Sequence, residues 1–210
     1  MPLVNSLNVN SSNLLLWRIN ESEEELNKDL NLSDFFKSRL GNIKATSRRK
    51  QSLSIHHLLK SSKINQEFFY DYNGKPKLSN NKFISISHSF DYSGVAISNN
   101  KVGVDIEKFR PKILDISKKF ISQTEQDLIK ELDIENLTKV WTIKEAVYKA
   151  FGYQGIDFKE NILIENINNE FNKVQVKINK NEIIENYNVD IINFSQYICS
   201  VANHIKNKSL

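Results

Sequence analysis

Gly103-Val104-Asp105-Ile106-Glu107 is a Val/Ile-rich run carrying two acids at alternate positions, and it reads as a β-strand. Two apart on a strand, Asp105 and Glu107 leave the same face about 7 Å apart along the chain, close enough for one cation to bridge them. Downstream, Trp141-Thr142-Ile143-Lys144-Glu145-Ala146-Val147-Tyr148-Lys149 contains no Pro or Gly before Gly152 and reads as a helix. Glu145 and Lys149 lie at i and i+4, so they share a face with the acid one turn before the base. A strand and a helix that bring together three carboxylates and two lysines can handle a divalent cation and a phosphate ester in one volume.

Working outward, Phe83-Ile84-Ser85-Ile86-Ser87 alternates apolar and polar residues at strand period, and Val95-Ala96-Ile97-Ser98 and Val102–Ile106 follow across short turns. Upstream, Leu14–Ile19 suits a buried strand, and Ser22-Glu23-Glu24-Glu25 has capping-box spacing for a helix start. A helix is expected from Ala45 to Lys60, with the densest basic cluster, Arg48-Arg49-Lys50, in its first turn. Phe68–Asp71 reads as a strand stopped by the Asn73-Gly74 turn, and Pro76 is expected to block continuation into a ladder. Past Arg110-Pro111 the pattern turns helical: a second capping box at Ser122-Gln123-Thr124-Glu125, then Leu137–Phe151 closed by Gly152. Strands return over about 160–165, 171–178, 187–194 and 196–202. No internal repeat is legible.

The 210 residues suffice for a substantial core in one or two domains. No apolar run approaches bilayer length, and Met1-Pro2-Leu3-Val4-Asn5 lacks the regions of a secretion signal, so a cytoplasmic, non-membrane protein is expected. Cys199, the single cysteine, sits in an apolar run and reads as a buried structural thiol. The net charge of +4 and pI near 9.0 favour a negatively charged partner. His56 and His57 have no acidic or Cys partner at ligand spacing and read as surface or packing residues.

Asp105-Ile106-Glu107 resembles the metal-binding strand end of the 4'-phosphopantetheinyl transferases, and Trp141 to Lys149 resembles that family's Trp-x-x-Lys-Glu-x-x-x-Lys helix. Their order and the 38-residue gap from Glu107 to Glu145 (145 − 107) match as well. Gly74-Lys75-Pro76 resembles the family's Gly-Lys-Pro loop, which lies along the nucleotide. Ser87-His88-Ser89 resembles its Ser-His-Ser segment, whose histidine and serine contact coenzyme A. The match extends from about residue 47 to residue 152; outside it, length and strand pattern alone bear on the assignment.

The resemblance implies an α+β fold of two similar lobes, residues 1–100 and 101–210, related by pseudo-twofold symmetry with the active site in the cleft between them. It implies a monomer that moves the phosphopantetheine group of coenzyme A onto a serine of an acidic acyl or peptidyl carrier protein, releasing adenosine 3',5'-bisphosphate. Asp105, Glu107 and Glu145 would hold Mg²⁺, with Mn²⁺ as an alternative, and Glu145 and Lys149 would be catalytic. Arg48, Arg49, Gly74, Lys75, Pro76, Ser87, His88, Asp105, Lys144 and Lys149 would contact coenzyme A, with Arg48 and Arg49 toward its 3'-phosphate at a helix N-terminus. From the residues themselves, the carrier is expected to dock along the cleft and on the Ile113–Leu132 region, where the apolar positions Ile113, Leu114, Ile116 and Phe120 lie beside Lys112, Lys118 and Lys119.

Plainer readings compete. An isolated Asp-x-Glu is more often a solvated strand end, Trp141 is more often core packing, and Glu145–Lys149 alone would be an exposed helix pair. Clustered carboxylates with lysine also serve metal-dependent nucleases and phosphodiesterases, for which Asp157-Phe158-Lys159 is the one tempting triplet. A non-catalytic nucleic-acid binder would use Arg48-Arg49-Lys50 but leave the three acids repelling phosphate.

Overall fold

The computed structural model describes residues 3–64, 67–129 and 131–206. A hairpin opens the chain, β1 (Leu3–Val9) against β2 (Ser12–Arg18). Asn5, Ser6 and Asn8 interrupt the apolar pattern of β1, which is why the sequence alone shows only the second strand. The Ser22–Glu25 capping box forms in both directions, at 2.7 and 3.2 Å, and starts α1 (Glu23–Lys28). α2 (Asp34–Gly41), unannounced in the sequence, precedes α3 (Thr46–Ser61). The apolar face of α3, with Leu53, Leu58 and Leu59 fully buried, packs with Trp17, Leu26 and Val95 into the first core. Each such side chain contributes about 1.5–3 kcal/mol by leaving water.

β3 (Phe68–Tyr70) and β4 (Pro76–Leu78) form a two-stranded ribbon. Pro76 therefore begins a strand, opposite Tyr70; a first-residue proline is the one ladder position where its missing N–H costs little. β5 (Phe83–Ser89) and β6 (Tyr92–Ser98) complete an antiparallel sheet in the order β1-β2-β6-β5.

β7 (Val102–Lys108) leaves that sheet for a second one, ordered β7-β11-β10-β9-β8 and antiparallel throughout. Its other strands are β8 (Ile162–Ile167), β9 (Lys173–Lys180), β10 (Ile183–Phe194) and β11 (Tyr197–His204). Between them run α4 (Lys112–Ile116), α5 (Gln123–Ile129) and α6 (Ile134–Phe151). Asp133 caps the start of α6 by accepting from Asn136 N, and Gly152, at φ +79°, ends it with a bond to Tyr148 O. α6 lies on the second sheet, with Val140, Ile143 and Val147 buried against Ile162, Val176 and Ile198. The architecture is α+β, with small antiparallel sheets and, among the described residues, six α-helices.

Serine hydroxyls join the two sheets. Ser85, Ser87 and Ser89 of β5 accept from Val104 N, Ile106 N and Lys108 N of β7 at 3.0, 3.1 and 3.3 Å. A third core, containing Leu14, Leu16, Ala96, Val104, Ile106, Cys199 and Val201, runs across the same seam. Cys199 is fully buried there, and burial holds its thiol above the ordinary range.

In the Ile113–Leu132 region, Ile113 and Phe120 point inward into the second core. The apolar side chains left exposed there are Leu114, Leu128 and Leu132, beside the exposed Lys112, Lys118 and Lys119.

Candidate active site

Gly103 decides how closely the acidic strand β7 approaches α6. A Cβ on it would stand 1.8 Å from Ala146 O and 2.8 Å from Ala150 N, so only glycine lets β7 lie flat on the Ala146–Ala150 turn of α6. That contact brings the two sequence motifs together. Lys149 Nζ donates to Asp105 Oδ1 at 2.7 Å and to Val104 O at 3.1 Å. Asp105, Glu107, Glu145 and Lys149 then line one cleft of about 670 Å³, together with Arg48, Ser87, His88, Gly74 and Pro76.

The serines that join the sheets also aim the acids. Ser87 Oγ donates to Asp105 Oδ1 at 2.9 Å, and Ser89 Oγ donates to Glu107 Oε2 at 3.1 Å. Each hydroxyl thus accepts one backbone N–H and donates to one carboxylate, which leaves neither side chain a free rotamer. Asp105 is 5 % exposed, yet its Oδ2 is buried with no hydrogen-bond partner. A buried, unpartnered carboxylate oxygen is costly and suits a cation.

Burial, reinforced by Asp105 and opposed by Lys149, pushes the Glu145 carboxyl up to about 7; burial and Asp105 also raise Glu107. In the same cleft, burial and the nearby charges of Arg48 and Lys149 hold His88 below the ordinary histidine range, which favours its neutral imidazole. Three hard-oxygen acids in one cleft form a donor set of the kind that holds Mg²⁺. Among the described residues, no three acidic, His or Cys side chains already close on one point. The acids would therefore be a partial shell, of the sort Mg²⁺ completes with water and phosphate oxygens.

Several expected contacts fall elsewhere. Arg49 turns away from the cleft: its guanidinium pairs with Glu23 at 2.8 Å and donates to Ile43 O, Lys44 O and Thr46 Oγ1. Those acceptors occupy the fork and tie α3 to the preceding loop. Lys144 is fully buried and pairs with Glu125 at 2.8 Å while donating to Phe158 O. Glu125 in turn accepts from Ser122 N and Ile164 N, so this pair ties α5, α6 and β8 together and Lys144 has no path to the cleft. Lys75 lines an adjoining cavity of about 650 Å³ that meets the cleft at Gly74, Pro76, Ile86 and Lys149. Its stem passes Gly152, where a Cβ would meet Nζ at 2.0 Å.

Trp141 lines the cleft and also packs on Phe120 and Phe158 at 5.2 and 5.5 Å, so packing and site wall are one role. His57 stacks on Trp17 and bonds Leu26 O, as a packing residue. In Asp157-Phe158-Lys159, Asp157 Oδ1 accepts from Lys159 N and Glu160 N, which makes the triplet a turn. Sequence reasoning missed the part played by Ser85 and Ser89; their period-2 spacing with Ser87 puts the three on one face of the strand but does not say what covers it.

Residues 101–202, which contain β7, α6 and the C-terminal sheet, match the family described as the 4'-phosphopantetheinyl transferase superfamily. A relative from Aneurinibacillus migulanus, named 4'-phosphopantetheinyl transferase gsp, is 27% identical over 184 residues, covering 86% of this chain and 73% of that one. The 4'-phosphopantetheinyl transferase Sfp of Bacillus subtilis (strain 168) is 36% identical over 72 residues, 32% of each chain. These matches bear out the resemblance to the 4'-phosphopantetheinyl transferase superfamily over the residues that carry the acidic strand and the Glu145–Lys149 helix, and gsp and Sfp, to which the chain is similar, belong to the longer, surfactin-activating branch.

Proposed function

We propose that this protein transfers the 4'-phosphopantetheine group of coenzyme A to a serine hydroxyl of an acyl or peptidyl carrier protein and releases adenosine 3',5'-bisphosphate. The observation that carries this reading is the seating of Asp105 against Lys149, in a cleft that also holds Glu107, Glu145, His88 and Arg48. Asp105, Glu107 and Glu145 would hold the cation, with Asp105 Oδ2 its first anchor. Bound there, Mg²⁺ supplies charge neutralisation at the pyrophosphate.

The remaining chemistry belongs to the chain. The serine oxygen forms a bond to the phosphorus that carries pantetheine, the pyrophosphate P–O bond breaks, and the serine proton passes to Glu145. A carboxylate whose pKa is raised toward neutrality is a better proton acceptor than an ordinary one. Lys149, with three donors of which Asp105 and Val104 take two, directs its positive charge to the departing phosphate. Neutral His88 offers a hydrogen bond to a phosphate oxygen, and Arg48 adds charge beside it. A single chain suffices in this reading, because the lining of the cleft comes from one polypeptide.

Incubation with coenzyme A, Mg²⁺ and an unmodified carrier protein should add the mass of one phosphopantetheine to the carrier. Glu145→Gln should lower kcat by at least 100-fold, in line with loss of a general base, while the fold by circular dichroism stays unchanged. No mass gain with any apo carrier across a representative set would overturn the proposal.

A further inference from the structure

The two-residue turn between β5 and β6 is Phe90-Asp91, and Phe90 sits at φ +48°. Gly is the residue that adopts such a conformation freely at the first position of a tight hairpin turn. An aromatic side chain there is strained, and such outliers persist when the surroundings fix them and tend to mark functional positions. The surroundings here do fix it. Gln51, itself 6 % exposed, donates from Nε2 to Phe90 O at 2.9 Å, and Ile19 N donates to Asp91 O at 2.7 Å.

The strain is used to hold an apolar ring in water. Phe90 is 48 % exposed, with Lys108 Nζ 5.2 Å and Arg110 Cζ 5.4 Å from its centroid. Lys108 is shared with the Tyr197 ring at 5.6 Å, and Arg110 also reaches Glu107 at 3.8 Å. Ser89, one residue before Phe90, holds the Glu107 carboxylate. An aromatic ring clasped by two cations therefore stands close to Glu107, one of the cleft's three acids, through Ser89 and Arg110, with exposed Lys112 just beyond Arg110 in the chain.

We infer that Phe90, with Lys108 and Arg110, is a docking contact for the acidic carrier protein, one that helps set which carriers are accepted. This rests on the transferase reading above. The occupant follows from the chemistry: exposed aromatic rings and arginine are enriched where proteins meet, and the surrounding cations complement an acidic surface. The place follows as well, since the partner must bring a serine hydroxyl to the acids that this patch adjoins.

The test compares wild type, Phe90→Gly, Phe90→Tyr and Lys108→Glu with an apo acyl carrier protein, measuring transfer kinetics, direct carrier binding by calorimetry, thermal unfolding and sedimentation. Phe90→Gly should raise the carrier KM about 5- to 10-fold and weaken carrier binding to match, while the coenzyme A KM stays within twofold. Because glycine relieves the turn, Tm should hold or rise by about 2–4 °C, a gain that a merely structural role for the ring would not give. Phe90→Tyr should keep wild-type kinetics, and Lys108→Glu should raise the carrier KM.

Unchanged carrier kinetics in Phe90→Gly would overturn the inference, as would a fall in Tm with both substrates affected alike. A shift from dimer to monomer with carrier kinetics intact would make the patch a self-contact and overturn it too. Wild type that binds the carrier through Phe90 but transfers nothing would sink the transferase reading and leave this surface standing. Wild type that does neither would sink both.

Discussion

His56 lies among Phe36 and Phe68, with ring centroids at 4.6 and 6.0 Å, and burial together with neighbouring His57 pushes it down to about 4. Its folded pKa is below the unfolded value of 6.5, so the unfolded chain takes up a proton first as pH falls. The neutral ring's contribution is thus intact above about pH 6.5 and is lost progressively toward pH 4. Denaturant titrations of wild type should lose up to about 3 kcal/mol over that window from this group, and His56→Phe should flatten the slope. An equal slope in both proteins would refute the assignment. The same dependence on surroundings separates residues that look alike in the sequence. Arg48 and Arg49 are consecutive, but one lines the cleft and the other is spent on Glu23 and three oxygen acceptors. Lys144 and Lys149 belong to one motif, but one is a buried strut and the other faces Asp105. Neighbouring cations cannot be told apart by type; only their partners distinguish them.

α6 and β7 carry the acids and the lysine of the proposed site, and Gly103 sets their spacing. Gly103→Ala would press a methyl group into the backbone of Ala146 and force strand and helix apart. Overpacking of this kind costs about 1–3 kcal/mol, and a shift of about 1 Å at a reacting group can cost 100-fold in rate. We therefore expect Gly103→Ala to lower Tm by several degrees and kcat by one to two orders of magnitude, a larger effect on rate than on stability. Wild-type kcat in a folded Gly103→Ala protein would contradict the spacing argument. The elements themselves were largely readable. Both Ser-x-x-Glu capping boxes form as their spacing predicts, and the helix expected over 137–151 spans Ile134–Phe151 with Gly152 as its left-handed end. β1 and α2 were not, because β1 is rich in Asn and Ser and α2 buries none of its residues.

Across the whole molecule, a buried apolar core contributed by β2, β6, β7 and β11 joins the two larger sheets. Halves joined by such a core should unfold together. The two tryptophans allow a direct check, since Trp17 lies in the first core and Trp141 packs against the second. Trp17→Phe and Trp141→Phe variants, each leaving a reporter in one half, should give coincident denaturation midpoints once their stabilities are matched; two separated transitions would contradict the shared core. The sequence by itself determined the local elements and the chemical content of the site, because turn residues, helix caps and the i, i+4 and i, i+2 spacings act over a few neighbours. It also carried the resemblance that named the acids. Only the tertiary structure decided that both faces of β5 are covered. Period-2 alternation alone would send its serines to solvent while Ile84 and Ile86 face the first core, but Ser85, Ser87 and Ser89 are buried too, because β7 packs over them and offers them backbone amides and two carboxylates. Partners that lie far apart in the chain and meet only on folding leave no periodic trace in it, and that is why the wiring of the cleft had to be seen to be known.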